Sequence, residues 1–460
     1  MGNKKNAWLK FDDTKKEEIF SFCEGYKKYI SDCKTERESI KEAISLAESK
    51  GYRDLKNVIS AGKSLKAGDK VYYNNMDKSL ALFLIGSESI ESGMRIIGSH
   101  VDSPRLDLKP NPLYEDSELS LMETHYYGGV KKYQWVTIPL ALHGVVVKKD
   151  GTKIDVVVGE EETDPVVMVS DLLVHLASEQ QQKKATEVIA GEDLNILVGS
   201  MPLEGEEKEA VKANILKLLK EKYDFEEEDF MSAEIEIVPA GKARDLGLDR
   251  SMVAGYGHDD RICAYTSLLA LLETENTKKT SVVLLVDKEE VGSIGATGMQ
   301  SRFFENAVAE LMDRVGEYSE LKLRRALANS KMLSSDVTAA FDPNYAGAYE
   351  KKNSAFFGKG LAFAKYTGAR GKSGCNDANA EFVAWLRNVM DENDVAYQMA
   401  ELGKVDQGGG GTIAYILAEY GMEVIDCGVA LQNMHAPWEV ASKVDIFETM
   451  RGYKAFLMAE

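Results

Sequence analysis

The chain has 460 residues, of which 44% are apolar and 28% charged, values usual for a folded protein of two or three domains. Its formal net charge of −19 argues against a nucleic-acid partner, because phosphates are repelled where no basic surface compensates. The apolar runs are only as long as strands, and the first residues have no apolar core behind their lysines, so we predict neither a transmembrane span nor a secretory signal.

The amino-terminal region is predicted to contain two helices followed by two strands. Residues 12–50 combine charged and apolar positions at helical spacing and are interpreted as two amphipathic helices. The apolar runs 79–85 and 94–100 flank a Ser-Glu-rich turn, which indicates two strands paired with each other. The second run leads to His100, and Pro104 then ends the strand because it has no N–H to donate.

Residues 107–245 differ in sequence pattern from the rest of the chain. The β-branched runs 135–147 and 153–159 are joined through Asp150-Gly151, and both turn residues tolerate the positive φ that a tight hairpin needs. We therefore predict that residues 107–245 form a β-rich domain. It would be inserted between the two parts of a second domain, residues 1–106 and 246–460.

After residue 255 the predicted strands alternate with helices. The expected helices are 260–273, 300–317, 378–393, 412–420 and 443–460, and the expected strands are 280–287, 331–340 and 422–431. This alternation predicts an α/β fold with a mixed, mostly parallel sheet sandwiched by helices. Functional sites in such sheets lie at the carboxyl ends of the strands.

Acids and histidines stand at several of these strand ends. His100 and Asp102 offer an imidazole that can bind zinc and a carboxylate that can fix its tautomer. Glu289 and Glu290 close the strand 280–287, where one carboxylate can bind a metal while its neighbour takes a proton from water. Each feature alone is typical of a helix cap, a solvated acid or a packed histidine. Further candidates at comparable positions are Asp259, Asp336 and His435.

Considered jointly, two His, two Asp and one Glu suit a centre with two metal ions. Each ion would have one imidazole and one carboxylate and would share a bridging Asp259, which leaves one further Glu as a base. Two ions lower the pKa of a water between them, so that the water becomes a nucleophile at neutral pH. Oxygen ligands mixed with imidazole fit Zn, Co or Mn, and the pattern does not choose among them.

Three further features have less specific interpretations. The segment Gly408–Thr412 lacks the lysine and spacing of a Walker A loop, so we expect its backbone to pass close to the metal site or substrate. Lys365 lies in a Gly-rich stretch, where it is either solvated or in contact with a substrate carboxylate. His175, taken alone, is typical of a packed helix histidine rather than a ligand.

The order and spacing of these motifs resemble those of the aspartyl aminopeptidase family of co-catalytic, di-zinc metallo-aminopeptidases. The match spans nearly the whole chain, and the joint occurrence of the motifs is far more specific than any one of them. The matching segments are Ser99-His100-Val101-Asp102-Ser103-Pro104, Gly257-His258-Asp259-Asp260-Arg261, Asp287-Lys288-Glu289-Glu290-Val291-Gly292-Ser293, Ser335-Asp336, residues 406–413 and Met434-His435-Ala436.

This resemblance implies a zinc-exopeptidase-like fold and a role for each site residue. The two metal ions would share one ligand: His100, Asp259 and Asp336 would hold one ion, and Asp259, Glu290 and His435 the other. Glu289 would be the general base that activates the water and then protonates the leaving amine, and Asp102 would orient His100.

The resemblance also implies self-assembly. The inserted domain matches the family's dimerisation domain, which lends a histidine to the neighbouring subunit's site, and His175 is the matching residue. Dimers would assemble into a tetrahedral dodecamer. Lys365 matches the basic residue that reads an acidic side chain, but the segment beside it carries an apparent two-residue insertion. Both a preference for amino-terminal Asp or Glu and a broader specificity therefore stay open.

We accordingly predict a metallo-aminopeptidase that removes single amino-terminal residues from short peptides. The five cysteines include no CxxC pair and are odd in number, which favours free thiols in a reducing cytoplasm. The expected partners are peptides and further copies of the chain, not membranes or nucleic acid. The alternatives are a related di-metal deacylase or carboxypeptidase, and a non-catalytic scaffold that has lost its metal site.

Overall fold

The computed structural model describes residues 5–460, which divide into two compact units. The first unit contains the chain up to Asp102 together with Ala243–Met434 and Glu439–Glu460. The second contains Ser103–Lys242 and the short segment His435–Trp438. None of the helices in residues 5–460 has the length and apolar character needed to cross a membrane.

Ten α-helices occur in the described residues. In chain order they are α1 (Asp13–Asp32), α2 (Glu36–Ser49), α3 (Leu55–Ser60), α4 (Ala210–Tyr223), α5 (His258–Leu272), α6 (Phe303–Arg314), α7 (Glu320–Ala328), α8 (Ala380–Glu392), α9 (Ala414–Ala418) and α10 (Lys443–Met458). The two predicted amino-terminal helices are present as α1 and α2. The side chain of Asp12 caps α1, and Thr35 and Glu38 form a capping box at the start of α2.

The same part of the chain forms 21 strands. They are β1 (Arg53–Asp54), β2 (Lys70–Asn75), β3 (Ser79–Leu84), β4 (Met94–His100), β5 (Arg105–Asp116), β6 (Leu119–Tyr127), β7 (Leu140–Val147), β8 (Lys153–Val158), β9 (Met168–Val169), β10 (Ile196–Gly199), β11 (Ala233–Pro239), β12 (Arg244–Leu246), β13 (Met252–Gly255), β14 (Thr280–Val286), β15 (Lys331–Ser335), β16 (Thr338–Ala339), β17 (Leu361–Ala364), β18 (Tyr397–Met399), β19 (Glu423–Gly428), β20 (Ala430–Gln432) and β21 (Glu439–Ser442).

The first unit is built on a nine-stranded sheet with the order β1-β2-β3-β14-β4-β15-β19-β17-β18. Five neighbouring pairs are parallel and three are antiparallel. The predicted mixed α/β class is therefore confirmed. A second, five-stranded sheet in this unit has the order β12-β13-β21-β20-β16.

Helices cover both faces of the nine-stranded sheet. One hydrophobic core joins the sheet to residues of α2, α5, α8 and α10, and the other joins it to residues of α3, α6, α7 and α9. Successive residues of β14 enter alternate cores: Val283 and Leu285 belong to the first, Val282 and Leu284 to the second. A strand buried on both faces favours a continuous apolar sequence, which residues 282–286 of β14 provide.

The second unit contains a seven-stranded sheet with the order β8-β7-β11-β5-β6-β10-β9. All six neighbouring pairs are antiparallel. The hairpin expected at Asp150-Gly151 is present, since β7 pairs with β8 and Gly151 has a φ of +89°. Its first strand begins at Leu140 rather than at residue 135.

Two predictions about the first unit's strands are wrong in detail. Strands β3 and β4 do not pair with each other, because the wholly apolar β14 lies between them and pairs with both. The run 331–340 is not one strand: β15 belongs to the nine-stranded sheet and β16 to the five-stranded sheet. The run 422–431 divides in the same way into β19 and β20.

Candidate metal centre

The carboxyl ends of three adjacent parallel strands bring the candidate residues of the first unit together. Strand β4 ends at His100 and lies between β14 and β15, both of which run parallel to it. Asp336 directly follows β15, and Glu289 lies in the 3-10 turn that follows β14. The loops leaving one edge of the sheet thus supply the site, as this class of sheet predicts.

The imidazole Nε2 atom of His100 is the centre of this cluster. It lies 3.2 Å from Oδ1 of Asp259, 3.8 Å from Oδ1 of Asp336 and 3.9 Å from Oε2 of Glu289. His100 is 2% exposed, so these carboxylates meet the ring away from bulk solvent. Glu290 belongs to the same group, because ligand atoms of His100, Glu289 and Glu290 all lie within 4.8 Å of one another.

Asp102 holds both His100 and the turn that carries the two glutamates. His100 Nδ1 lies 2.9 Å from the Asp102 carbonyl oxygen and 3.4 Å from its carboxylate, so Nδ1 carries a proton and Nε2 faces the cluster. The two carboxylate oxygens of Asp102 accept hydrogen bonds from the backbone N–H groups of Glu289 and Glu290, each at 3.2 Å. One buried acid therefore fixes the imidazole and the Glu289-Glu290 turn relative to each other.

The turn itself needs an unusual backbone. Lys288 and Gly292 flank the 3-10 turn Glu289–Val291, and both adopt the left-handed conformation, with φ of +69° and +94°. Glycine is the residue that takes this conformation without steric cost. The chain turns sharply after β14, and two consecutive glutamates can therefore contribute to one cluster.

A buried arginine shapes the backbone before Asp259. Arg261 donates from Nε to the carbonyl of Gly257 at 3.2 Å and from Nη2 to that of Tyr256 at 3.0 Å. Asp259 and Asp260 have non-helical backbone angles, and the helical path resumes after them. Gly257 is the N-cap of α5, and no side chain makes a cap hydrogen bond there.

Two acids hold the backbone of the site, and the sequence interpretation missed one of them, Glu439. Asp260 is fully buried, and its Oδ2 accepts a hydrogen bond from the backbone N–H of His100 at 3.3 Å. Glu439 accepts one from the backbone N–H of Asp259 at 3.0 Å. For Glu439 the usable indication was a lone acid inside the otherwise apolar, buried strand β21.

Burial and the closeness of several carboxylates shift the pKa values of the residues in the cluster. Burial would lower the pKa of His100, but hydrogen bonds to Asp102, Asp259 and Asp336 raise it well above 6.5. Burial raises the pKa of Glu289 to about 8; the charge of His100 opposes this shift, and those of Asp336, Asp102 and Asp259 add to it. Burial also raises the pKa of Asp336.

These residues fit a divalent metal ion. Three carboxylates lie within 4 Å of one buried imidazole nitrogen, and mutual repulsion disfavours their charged forms. A cation among them would stabilise the ionised carboxylates and the neutral imidazole, which are the forms that bind metals. Imidazole together with carboxylate is a ligand set that zinc accepts.

The remaining candidates are carried by other parts of the chain. His435 belongs to the second unit, where its Nδ1 lies 2.8 Å from the carbonyl oxygen of Gly129. His175 is exposed in a 3-10 turn of the second unit, so the interpretation as a packed helix histidine is wrong. Lys365 forms an ion pair with Asp377. The Gly-rich segment makes its close backbone approaches to Leu402 and Ala369.

Comparison with known proteins agrees with this site. Residues 29–457 match the family described as aminopeptidase I zinc metalloprotease (M18). A probable M18 family aminopeptidase 1 of Clostridium acetobutylicum is 67% identical over 454 residues, which cover 98% of each chain. The crystal structure of an M18 family aminopeptidase from Thermotoga maritima superposes with a TM-score of 0.95 at 46% identity and covers 99% of each chain. A more distant likeness, which concerns the fold alone, is to the mApe1 dodecamer of yeast: the TM-score is 0.77 at 20% identity, over 95% of this chain and 96% of that one.

Proposed function

The chain belongs to the aminopeptidase I zinc metalloprotease family (M18) and is a zinc-dependent aminopeptidase, and on this premise we propose that two zinc ions serve its reaction. The observation that carries the proposal is the cluster of Asp259, Asp336 and Glu289 around Nε2 of His100. Four polar groups at that spacing suit metal-assisted hydrolysis.

The ligand assignment follows the family motifs. His100, Asp259 and Asp336 hold one ion in this proposal. Asp259 would also be a ligand of the second ion, together with Glu290 and His435. Glu289 is not among these five proposed ligands, so its carboxylate is free for proton transfer.

Glu289 moves the protons of the reaction. When bound, the ions polarise the scissile carbonyl and lower the pKa of water. Glu289 accepts a proton from the attacking water and passes it to the leaving amine. Asp102 keeps this carboxylate in reach, because its two hydrogen bonds hold the turn that carries Glu289. Asp260 and Glu439 accept hydrogen bonds from backbone N–H groups of the site and are positioning residues in this proposal.

The substrates in this proposal are short peptides with a free amino terminus. Lys365 is the candidate contact for an acidic first side chain, and it would have to exchange its ion pair with Asp377 for that substrate carboxylate. The competing charge of Asp377 weakens a strict preference for Asp or Glu, so we propose an acidic preference that is not exclusive.

The second unit is proposed to join subunits into dimers and then a dodecamer. Its segment 172–176 exposes four apolar side chains around His175, with fractional exposures of 48% for Leu172, 56% for Leu173, 62% for Val174 and 67% for Leu176. A contiguous exposed apolar patch is typical of an interaction surface. Burial of this segment against a second copy would bring His175 into a neighbouring subunit, as the family motif implies.

We also propose the cytoplasm as the compartment. All five cysteines are free thiols, and four of them are buried. A reducing environment keeps such thiols unpaired.

A panel of dipeptides tests the reaction class. The enzyme is assayed with free and N-acetylated dipeptides whose first residue is acidic, neutral or basic, with and without a chelator. We expect hydrolysis of the free peptides only, fastest for Asp or Glu, and loss of activity with chelator that zinc restores. Faster hydrolysis of acetylated peptides would assign a deacylase instead, and chelator-resistant activity would refute the metal centre.

A further inference from the structure

Two cations lie side by side at the amino-terminal ends of β4 and β15, whereas the metal centre lies at the carboxyl ends of these strands. Neither cation forms an ion pair with a carboxylate of residues 5–460. Arg95 is the second residue of β4 and Lys331 the first of β15, and the two are paired in the parallel ladder. Both side chains lie on the face that packs against α8. Arg95 precedes His100 by five residues on the same strand, which corresponds to roughly 16 Å along β4.

Arg95 is buried without compensation. It is 4% exposed, and its Nε has neither solvent contact nor a hydrogen-bond partner. Within residues 5–460, no carboxylate forms an ion pair with Arg95 or with Lys331. A buried cation that lacks a hydrogen-bonded counter-charge is costly to the folded state.

The rings of α8 hold both cations in place. The Cζ atom of Arg95 lies 5.1 Å from the centroid of the Trp385 ring, and Nζ of Lys331 lies 5.3 Å from the same centroid. Lys331 is also 5.1 Å from the centroid of Phe382. Aromatic faces attract cations, but these contacts do not remove the repulsion between two adjacent positive charges.

The nearest acids are already engaged by other donors. Glu423 is paired with Lys331 in the strand ladder, and its carboxylate accepts hydrogen bonds from Nδ2 of Asn379 at 3.0 and 3.2 Å. Glu88, whose charge acts on Arg95, forms an ion pair with Lys279 at 2.9 Å. Burial lowers the pKa of Lys331, and the charge of Arg95 lowers it further.

We propose that Arg95, Lys331 and the Trp385 ring form a binding site for a small oxyanion, a phosphate or a carboxylate, separate from the metal centre. The guanidinium offers a planar pair of donors that matches either oxyanion, and the ammonium offers a second positive charge beside it. The bound anion neutralises both cations and stabilises the folded enzyme by binding to it.

Calorimetric titration of the zinc-loaded enzyme with inorganic phosphate, and separately with acetate, tests this site. We expect phosphate to bind, with affinity weakened roughly tenfold to a hundredfold in Arg95→Met, the size of one lost charge-assisted hydrogen bond. Lys331→Met should weaken it less. The control Arg302→Met removes an arginine whose side chain is 78% exposed and should bind phosphate as the wild type does.

The acetate arm distinguishes the source of the oxyanion. Binding of both probes indicates that a carboxylate suffices, and binding of phosphate alone indicates a phosphate site. Lys331 is partly exposed, so its variant serves if Arg95→Met does not fold. Equal phosphate binding by the wild type and Lys331→Met or Arg95→Met, or no binding by the wild type, would overturn the proposal and leave a purely structural cation–aromatic stack.

Discussion

Among the acids of the cluster, Glu289 is the one for which we propose a proton-transfer role. Its carboxylate lies 3.9 Å from Nε2 of His100, while its backbone N–H is held by Asp102. Asp259 lies closer to the imidazole, at 3.2 Å, in the position of a ligand. In the proposed mechanism Asp259 holds metal and Glu289 moves protons.

Replacing Glu289 with Gln should therefore abolish turnover and leave zinc binding intact. The amide keeps the shape of the side chain but cannot accept the proton, and loss of a general base typically lowers rates by about 10²–10⁴-fold. Steady-state kinetics gives kcat, and elemental analysis gives the zinc content.

Glu310→Gln is the matched control for this experiment. Glu310 is exposed on α6, so its replacement should change neither quantity. Near-normal kcat in Glu289→Gln would exclude Glu289 as the base.

At the residue scale, the side chains of the cluster were easier to predict from the sequence than the side chains that hold its backbone. His100, Asp259, Glu289 and Asp336 were recognisable because their types and strand-end positions carry chemistry. Asp260 and Glu439 act through backbone N–H groups, and any acid whose partner is a backbone group is invisible in a linear sequence. Their contacts depend on chain segments about 160 and 180 residues apart.

At the scale of elements, helix α10 is tied to the start of β17 by one buried carboxyl group. Asp445 accepts hydrogen bonds from the backbone N–H of Gly358 at 2.7 Å and of Gly360 at 2.6 Å. Gly360 has a φ of +78°, and a Cβ there would lie 1.9 Å from the Ala396 carbonyl oxygen. Burial raises the pKa of Asp445 to about 7, although the bonds from Gly360 and Gly358 lower it.

The stability of the protein should consequently depend on pH through Asp445. Because the folded-state pKa is raised above the ordinary 3.8, this contribution is complete below pH 3.8 and is lost as the pH rises through about 7. Asp445→Asn should remove the dependence. The free energy of unfolding of the variant, relative to wild type, should rise by on the order of 1 kcal/mol per pH unit between about pH 5 and pH 7.

Chemical denaturation of both proteins across that range measures the difference. Asp391→Asn, at an exposed position of α8, controls for the loss of one charge. A difference between Asp445→Asn and wild type that stays constant with pH would show that Asp445 is already ionised in the folded protein.

The periodicity of the sequence predicted which segments are helices and which are strands, but it did not predict which strands pair with each other. The apolar runs of β3, β4 and β14 were identified, yet only the folded chain shows that β14 separates the other two. The splits at residues 336–337 and 429 have the same origin: each run continues from one sheet into another, and a run of apolar residues does not record which sheet buries it.

At the scale of the whole molecule, the exposed segment 172–176 is the feature that a single chain does not explain. Leu173 is 56% exposed between equally exposed apolar neighbours. If this segment joins subunits, Leu173→Glu should place an unpaired charge in the interface and dissociate the assembly.

Sedimentation velocity should show smaller particles for Leu173→Glu, together with lower activity if His175 serves a neighbouring site. Leu321→Glu is the control, since Leu321 is equally exposed, at 56%, but lies in the first unit on α7. An unchanged sedimentation coefficient for Leu173→Glu would remove this segment from the interface.

The most direct test of the account counts zinc ions per chain in the purified enzyme, by elemental analysis or native mass spectrometry. The two-ion centre predicts two ions in the wild type and one in His435→Ala, whose missing ligand belongs to the second ion only. A single ion in the wild type, or two retained in His435→Ala, would contradict it.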